Sequence, residues 1–459
     1  MAIQSARIRT LRAGAPGAAG SFVLYWMQQS QRVRCNHALE YAVEQANRLG
    51  LPVLVGFGLT DDYPEANARH YAFMLQGLAE VAHELAARGI AFVIRKGEPD
   101  EVALALSAEA ALVVCDRGYL RHQIAWRERL AKRLQVPLAE VESDTVVPAE
   151  AASTRHEYAA RTLRPRIHRL LDEFLVPLRA TPVKHRWPDT APQSEIDLSE
   201  PDRALATLRL DRSVPPVRRF TGGTSRALTR LRAFVDAHLS GYAEERNLPE
   251  RQAVSRLSPY LHFGQISALD IVLVVREAAP SGDPGRAAFI EELVVRRELA
   301  INHVLYEPRY DRWDGLPDWA RAALAKAARD PRPHLYSRGE LEAGETHDRY
   351  WNAAMLEMRA TGYMHNRMRM YWGKKIVEWT KEPEAAFETA LALNNRWFLD
   401  GRDANSYANV GWLFGLHDRP WPARKVFGTV RSMGAASLKK FDADAYVAEV
   451  GRLAAMEHG

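Results

Sequence analysis

Cysteine is nearly absent from this 459-residue chain, which carries only Cys35 and Cys115. Neither sits at metal-ligand spacing, and two cysteines build no disulfide framework, so the small disulfide-stapled secreted class is excluded. Long apolar runs are missing as well. Leu51 to Leu59 is among the longest, far below the ~18–20 residues of a membrane span. No Gly-x-Gly-x-x-Gly follows the first apolar run, so the common dinucleotide fingerprint is not written there. Internal repeats and low-complexity tracts are lacking. Charge of one sign is in small excess only: a net charge of +5 and a pI near 9.1 permit a polyanionic partner without demanding one. What these absences leave is a protein expected to be soluble and to work in the reducing cytoplasm.

The apolar fraction of 47% and charged fraction of 26% belong to a globular chain, and its length predicts two domains. Residues 1–20 read as a flexible, small-residue tail. Over 21–150, the runs Phe22–Trp26, Pro52–Phe57, Ala91–Ile94 and Ala111–Cys115 read as buried parallel strands. Helical patterns near 36–49, 67–88, 99–107 and 121–134 separate them, so a doubly wound parallel α/β domain is expected. Residues 151–215 form a connecting segment, with a Pro-, Asp-, Ser- and Arg-rich linker from about Thr181 to Pro216. From 216 to 459 the pattern predicts an all-α domain, with helices at 224–239, 259–276, 287–304, 316–327, 349–359, 363–380 and 383–393.

Three constellations carry chemistry. In Val254–Gly264, Ser258 suits an N-cap and Pro259 the first helical turn, and free N–H groups there attract a phosphate or diphosphate. Ser255 could add a hydroxyl, although an ordinary capped helix has the same spelling. On a helix, Arg369, Trp372, Ile376 and Trp379 share one stripe, with the two tryptophans about 10 Å apart at ~1.5 Å per residue. Electrons can hop over such a gap; a tryptophan-rich core stripe is the plainer alternative. In Asn394–Asn405, dense amides and carboxylates suit a polar heterocycle or a polar turn with helix caps. Asp400 there needs a partner such as Arg369 if buried.

Taken together, Ser258–Gly264, Trp351–Ala354 and Met364–Met370 resemble the photolyase and cryptochrome superfamily over nearly the whole chain. Arg296–Leu299, Met370–Trp372, Asp400–Asp403 and His417–Asp418 are similar to the class II photolyases, which reverse cyclobutane pyrimidine dimers in DNA. Three spellings depart from the pattern. Arg296 stands where class I members carry Trp, the segment from Trp412 to His417 is one residue short for class II, and Ser255-Arg256 replaces the Ser-Gly usual there.

The resemblance implies an N-terminal antenna-type domain, with a second chromophore of open identity, and a helical domain holding U-shaped FAD. By motif, Tyr242, Ser255, Leu257 and Ser258 would hold the ribityl and diphosphate groups. Arg369 and Asp400 would pair beside the isoalloxazine, Asn394 would face flavin N5, and Asp403 would lie near the adenine or ribose. Trp372, Trp351 and Trp379 would photoreduce the flavin, the last two in either order. Glu292, with Glu291 and Glu298 competing, Met370 and Trp412 would meet the lesion, and Arg246 and Arg431 the backbone phosphates. Photolyases are among the enzymes that flip a target base out of the duplex, and the reduced anionic flavin would then donate an electron under blue light. The partner implied is double-stranded DNA bearing the dimer, with no membrane and no obligatory protein partner, the enzyme acting as a monomer. Two rivals share the fold. A cryptochrome usually adds a C-terminal extension, whereas Gly459 follows Arg431 closely; a six-four photolyase wants a histidine pair at its pocket.

Overall fold

The computed structural model describes residues 3–188 and 192–458. Met1 and Ala2 of the expected tail, and 189–191 of the expected linker, lie outside the described residues. Six strands form one sheet: β1 (Ile8–Arg12), β2 (Phe22–Trp26), β3 (Val53–Leu59), β4 (Ala91–Lys96), β5 (Ala110–Asp116) and β6 (Leu138–Val141). Their spatial order is β1-β6-β5-β2-β3-β4, parallel throughout except for β1, which runs antiparallel to β6. Every residue of β2, β3 and β5 is buried, as strands covered by helices on both faces must be. The helices His37–Leu49, Ala68–Arg88, Pro99–Leu106 and Arg121–Arg133 provide that cover.

The N-terminal segment departs from expectation: within the presumed tail, Ile8–Arg12 is an edge strand. It is anchored by the buried Arg7 guanidinium, which donates to Val146 O at 2.6 Å and Thr145 O at 3.1 Å. Arg9 pairs with Glu140 of β6 at 3.1 Å. Both β1 and β6 are short and carry charge, so apolar periodicity does not expose them.

The connecting segment holds a fifteen-residue helix, Ala160–Phe174, whose Leu163, Ile167 and Phe174 join the core of the helical half. The single helix expected over 259–276 is two, Ser258–His262 and Ala268–Ala278. Gly264 turns the chain between them at φ +64°, where a Cβ would collide with the backbone at Gln29 and Ser30 of the α/β domain. The expected helix over 287–304 runs from Pro284 to Tyr306 but widens to a π-helical stretch at Glu291–Arg296. Two further helices, Ala404–Leu413 and Ala443–His458, complete the C-terminal half.

Buried arginines stitch the halves together. Arg69, on the Ala68–Arg88 helix, donates to Trp397 O at 2.8 Å, Arg359 O at 2.6 Å and Met358 O at 3.2 Å. Arg32 reaches Ser143 O at 2.7 Å, Gly264 O at 2.9 Å and Asp144 at 3.1 Å. Charge-assisted bonds to backbone carbonyls fix the seam between the two halves.

Candidate functional site

The larger cavity of the helical half encloses about 1240 Å³, counting its open mouth. Of the residues singled out in the sequence, Tyr242, Ser255, Leu257, Ser258, Glu292, Arg369, Met370, Trp372, Asn394, Asp400 and Asp403 line it. They come from six separate segments. Ser258 is the first residue of its helix rather than the cap, which falls at Leu257. Among the described residues, the hydroxyls of Ser255 and Ser258 have no protein partner, and both belong to the cavity wall.

Arg369 lies on the Asn366–Trp379 helix, and Asp400 in the turn after the Pro383–Trp397 helix. Arg369 Nη2 donates to both Asp400 oxygens at 3.0 Å, and its Nε donates to Met364 O at 3.0 Å. The Phe398 ring packs 3.8 Å from the guanidinium carbon, so the cation has a fixed plane. Asp403 caps the Ala404–Leu413 helix by accepting from Ser406 N at 2.9 Å. Burial, the largest influence on its carboxyl, opposes ionisation, yet the neighbouring His262 ring, 3.9 Å away, and the bond from Ser406 N help hold it below the usual carboxylate range.

Of the three candidate glutamates, Glu292 alone lines the cavity. Glu291 turns outward to Arg164 at 2.7 Å and Arg296 at 3.2 Å. Glu298 is buried and accepts from the backbone N–H groups of Val146 and Val147 at 2.7 and 3.3 Å. The π-helical turn supplies the extra rotation that separates these neighbours. Arg246 stands at the rim and donates to Glu292 Oε1 at 2.7 Å. Trp412 and Arg431 are outside the lining. They stack on each other at 5.4 Å, and Arg431 also lies 5.2 Å from the exposed Trp421.

Behind the wall the tryptophans do not follow the helix stripe. Trp372 faces the cavity, Trp351 Nε1 donates to the backbone carbonyl of Trp372 at 2.9 Å, and the Trp351 and Trp379 rings meet edge-on at 5.5 Å. All three are at most 2% exposed. Tertiary contact therefore brings Trp351 against the Trp372 backbone and the Trp379 ring, seven residues apart on one helix.

Sequence reasoning missed Tyr363, Arg297 and Asn409 on the same wall. It also missed a second cavity of about 950 Å³ with its open mouth, at the carboxyl ends of β2, β3 and β5. That is where the strand order reverses and where open α/β sheets bind ligands, a rule that could have located it. Gln28, Tyr63, Tyr71, Gln123 and Trp126 line it, with Arg402, whose buried Nε and Nη2 have no protein acceptor. Leu261, Arg297, Asp403 and Asn405 border both cavities.

The chain is 46% identical over 446 residues to the deoxyribodipyrimidine photo-lyase of Methanothermobacter thermautotrophicus, covering 97% of this chain and 98% of that one. It belongs to the DNA photolyase family. The family profile described as DNA photolyase matches residues 23–185. The deoxyribodipyrimidine photo-lyase of Arabidopsis thaliana is 38% identical, covering 99% of this chain and 94% of its own. Among solved structures, a class III photolyase from Agrobacterium tumefaciens superposes with a TM-score of 0.73 at 23% identity, over 95% of this chain and 87% of its own. An archaeal photolyase from Sulfolobus tokodaii, described with two FAD molecules, gives 0.68 at 16% identity over 95% and 93%. These photolyases share the α/β and helical halves seen here.

Proposed function

We propose that this photolyase-family protein is of the class II type and reverses cyclobutane pyrimidine dimers in duplex DNA under blue light, with FAD in the larger cavity. The observation that carries the reading is one cavity whose wall combines the Arg369–Asp400 pair, Asn394, two unpartnered serine hydroxyls, Glu292 and Met370. That donor set suits a diphosphate joined to a polar heterocycle. When bound, the flavin supplies the light-driven one-electron chemistry. The residues bind and orient. Ser255 and Ser258 offer hydroxyls to the diphosphate, Tyr242 and Leu257 flank it, Asp403 serves the adenine or ribose side, and Arg369 sets a positive potential beside the ring held in check by Asp400.

Glu292 is placed to accept or share a proton at a pyrimidine carbonyl where charge develops, and its bond to Arg246 ties that carboxylate to a phosphate contact. Met370 packs against the lesion and Trp412 stacks on it once it is flipped from the helix. Trp372, Trp351 and Trp379, in that order from the cavity outward, form the path by which electrons reach the flavin. A second, light-harvesting chromophore occupies the strand-end cavity, as two FAD molecules are described for the Sulfolobus tokodaii protein. No histidine lines the larger cavity among the described residues, which supports this lesion over the six-four product.

The test is direct. Purified protein is reconstituted with FAD, reduced and irradiated with a thymine-dimer oligonucleotide. Recovery of the absorbance of intact bases is expected; a colourless protein, or a yellow one that restores no absorbance, overturns the reading.

A further inference from the structure

We infer that Asn395, pinned between Arg402 and Glu65, is a positioning residue that dictates which end of the Asn394 amide faces the flavin cavity. The inference rests on the flavin reading of that cavity and adds to it a determinant reaching in from the α/β half.

The hydrogen-bond directions decide the matter. The backbone N–H of Arg402 donates to Asn395 Oδ1 at 3.0 Å, and a backbone N–H has no other role than donor. Asn395 Nδ2 donates to Glu65 Oε2 at 2.7 Å, and a carboxylate accepts. The Asn395 amide is thereby oriented at both ends, and the group that meets its Oδ1 from the other side must be a donor. That group is Asn394 Nδ2, at 3.0 Å. With its nitrogen committed, Asn394 presents its carbonyl oxygen to the cavity it lines. Asn395 is fully buried and Asn394 is 5% exposed, so water does not compete freely for either amide. Glu65, by contrast, reaches in from an exposed loop before the Ala68–Arg88 helix.

A carbonyl oxygen beside flavin N5 favours the forms that carry hydrogen on N5 and opposes the oxidised ring, whose N5 is itself an acceptor. The Asn395–Glu65 pair therefore holds the site in readiness for the reduced cofactor by denying Asn394 an easy flip.

The experiment follows air reoxidation of the reduced, FAD-loaded protein by its absorbance, together with the FAD-to-protein ratio. Asn395→Ala should bind FAD and reoxidise about tenfold faster than the parent. Glu65→Ala, at an exposed position, should speed reoxidation several-fold, and Glu65→Gln, which keeps an acceptor, should restore most of the parent's resistance. Should Asn395→Ala fail to fold, the two Glu65 variants decide alone. Parent-like reoxidation in Glu65→Ala or in a folded Asn395→Ala overturns the inference. A parent that binds no FAD overturns instead the reading of the cavity on which it rests.

Discussion

Trp372 is the one tryptophan of the buried trio that touches the cavity, and Trp351 donates to its backbone carbonyl from behind. Trp372→Phe and Trp351→Phe should each slow photoreduction of the oxidised flavin by at least tenfold. Repair should be spared when the flavin is reduced chemically beforehand. Transient absorption and a repair assay on the same samples separate the two, and unchanged photoreduction in either variant removes that ring from the path. Glu292 makes a different prediction. Glu292→Ala leaves the Arg246 guanidinium without its partner and removes the only glutamate among the described residues of the cavity wall, so repair per absorbed photon should fall about tenfold with FAD content unchanged. At this scale the sequence was informative for residue types that are unusual in a core, such as the Arg369–Asp400 pair and clustered asparagines. It assigned Asn395 and Arg402 no role of their own, because their importance lies in what they bond to.

Among the elements, the Pro284–Tyr306 helix decides which glutamate enters the site, because its π-helical turn sends Glu291, Glu292 and Glu298 to three different surroundings. Burial pushes the Glu298 carboxyl up to about 8 from 4.5, against the two backbone N–H bonds that favour its charge. Between these values the folded protein holds a proton that the unfolded chain has released. Glu298 thus contributes stability that is complete below pH 4.5 and is lost as pH rises through about 8. Glu298→Gln keeps the acceptor oxygen and removes the titration. Its stability should match the parent near pH 5 and exceed it at pH 8 by on the order of a few kcal/mol, read from denaturant midpoints at the two pH values. A gap that stays constant with pH would contradict this account.

The strongly periodic elements are legible in the sequence: the central strands and the long helices agree with their patterns to within a few residues. The elements that escaped are those whose signal is weak for a physical reason. β1, at the edge, and its neighbour β6 are short pieces with charged residues held by Arg–Glu pairs. The Ala160–Phe174 helix contains Pro165 and a heavily basic outer face, and the break at Gly264 follows from a neighbour more than two hundred residues away.

For the whole molecule, the charge balance is nearly neutral, with 62 basic and 57 acidic side chains, so attraction to DNA must come from placement rather than from excess. Arg246 at the cavity rim and Arg431 beside Trp412 and Trp421 form such a local arrangement. Arg246→Ala and Arg431→Ala should each weaken binding of a dimer-containing duplex. Each should also lower the slope of log affinity against log salt by about one, as loss of a single phosphate contact does. Fluorescence anisotropy across a salt series measures both effects, and an unchanged slope would place that arginine away from the backbone.

By itself the sequence determined the α/β-plus-helical plan, the family and nearly half of the residues that wall the cavity, because periodic burial and rare polar clusters are written locally. Only the tertiary structure decided which glutamate and which tryptophan face the cavity, and how a loop of the α/β half reaches Asn395 beside it. These depend on helix rotation and on contacts between distant segments, and spacing along a chain carries no record of either.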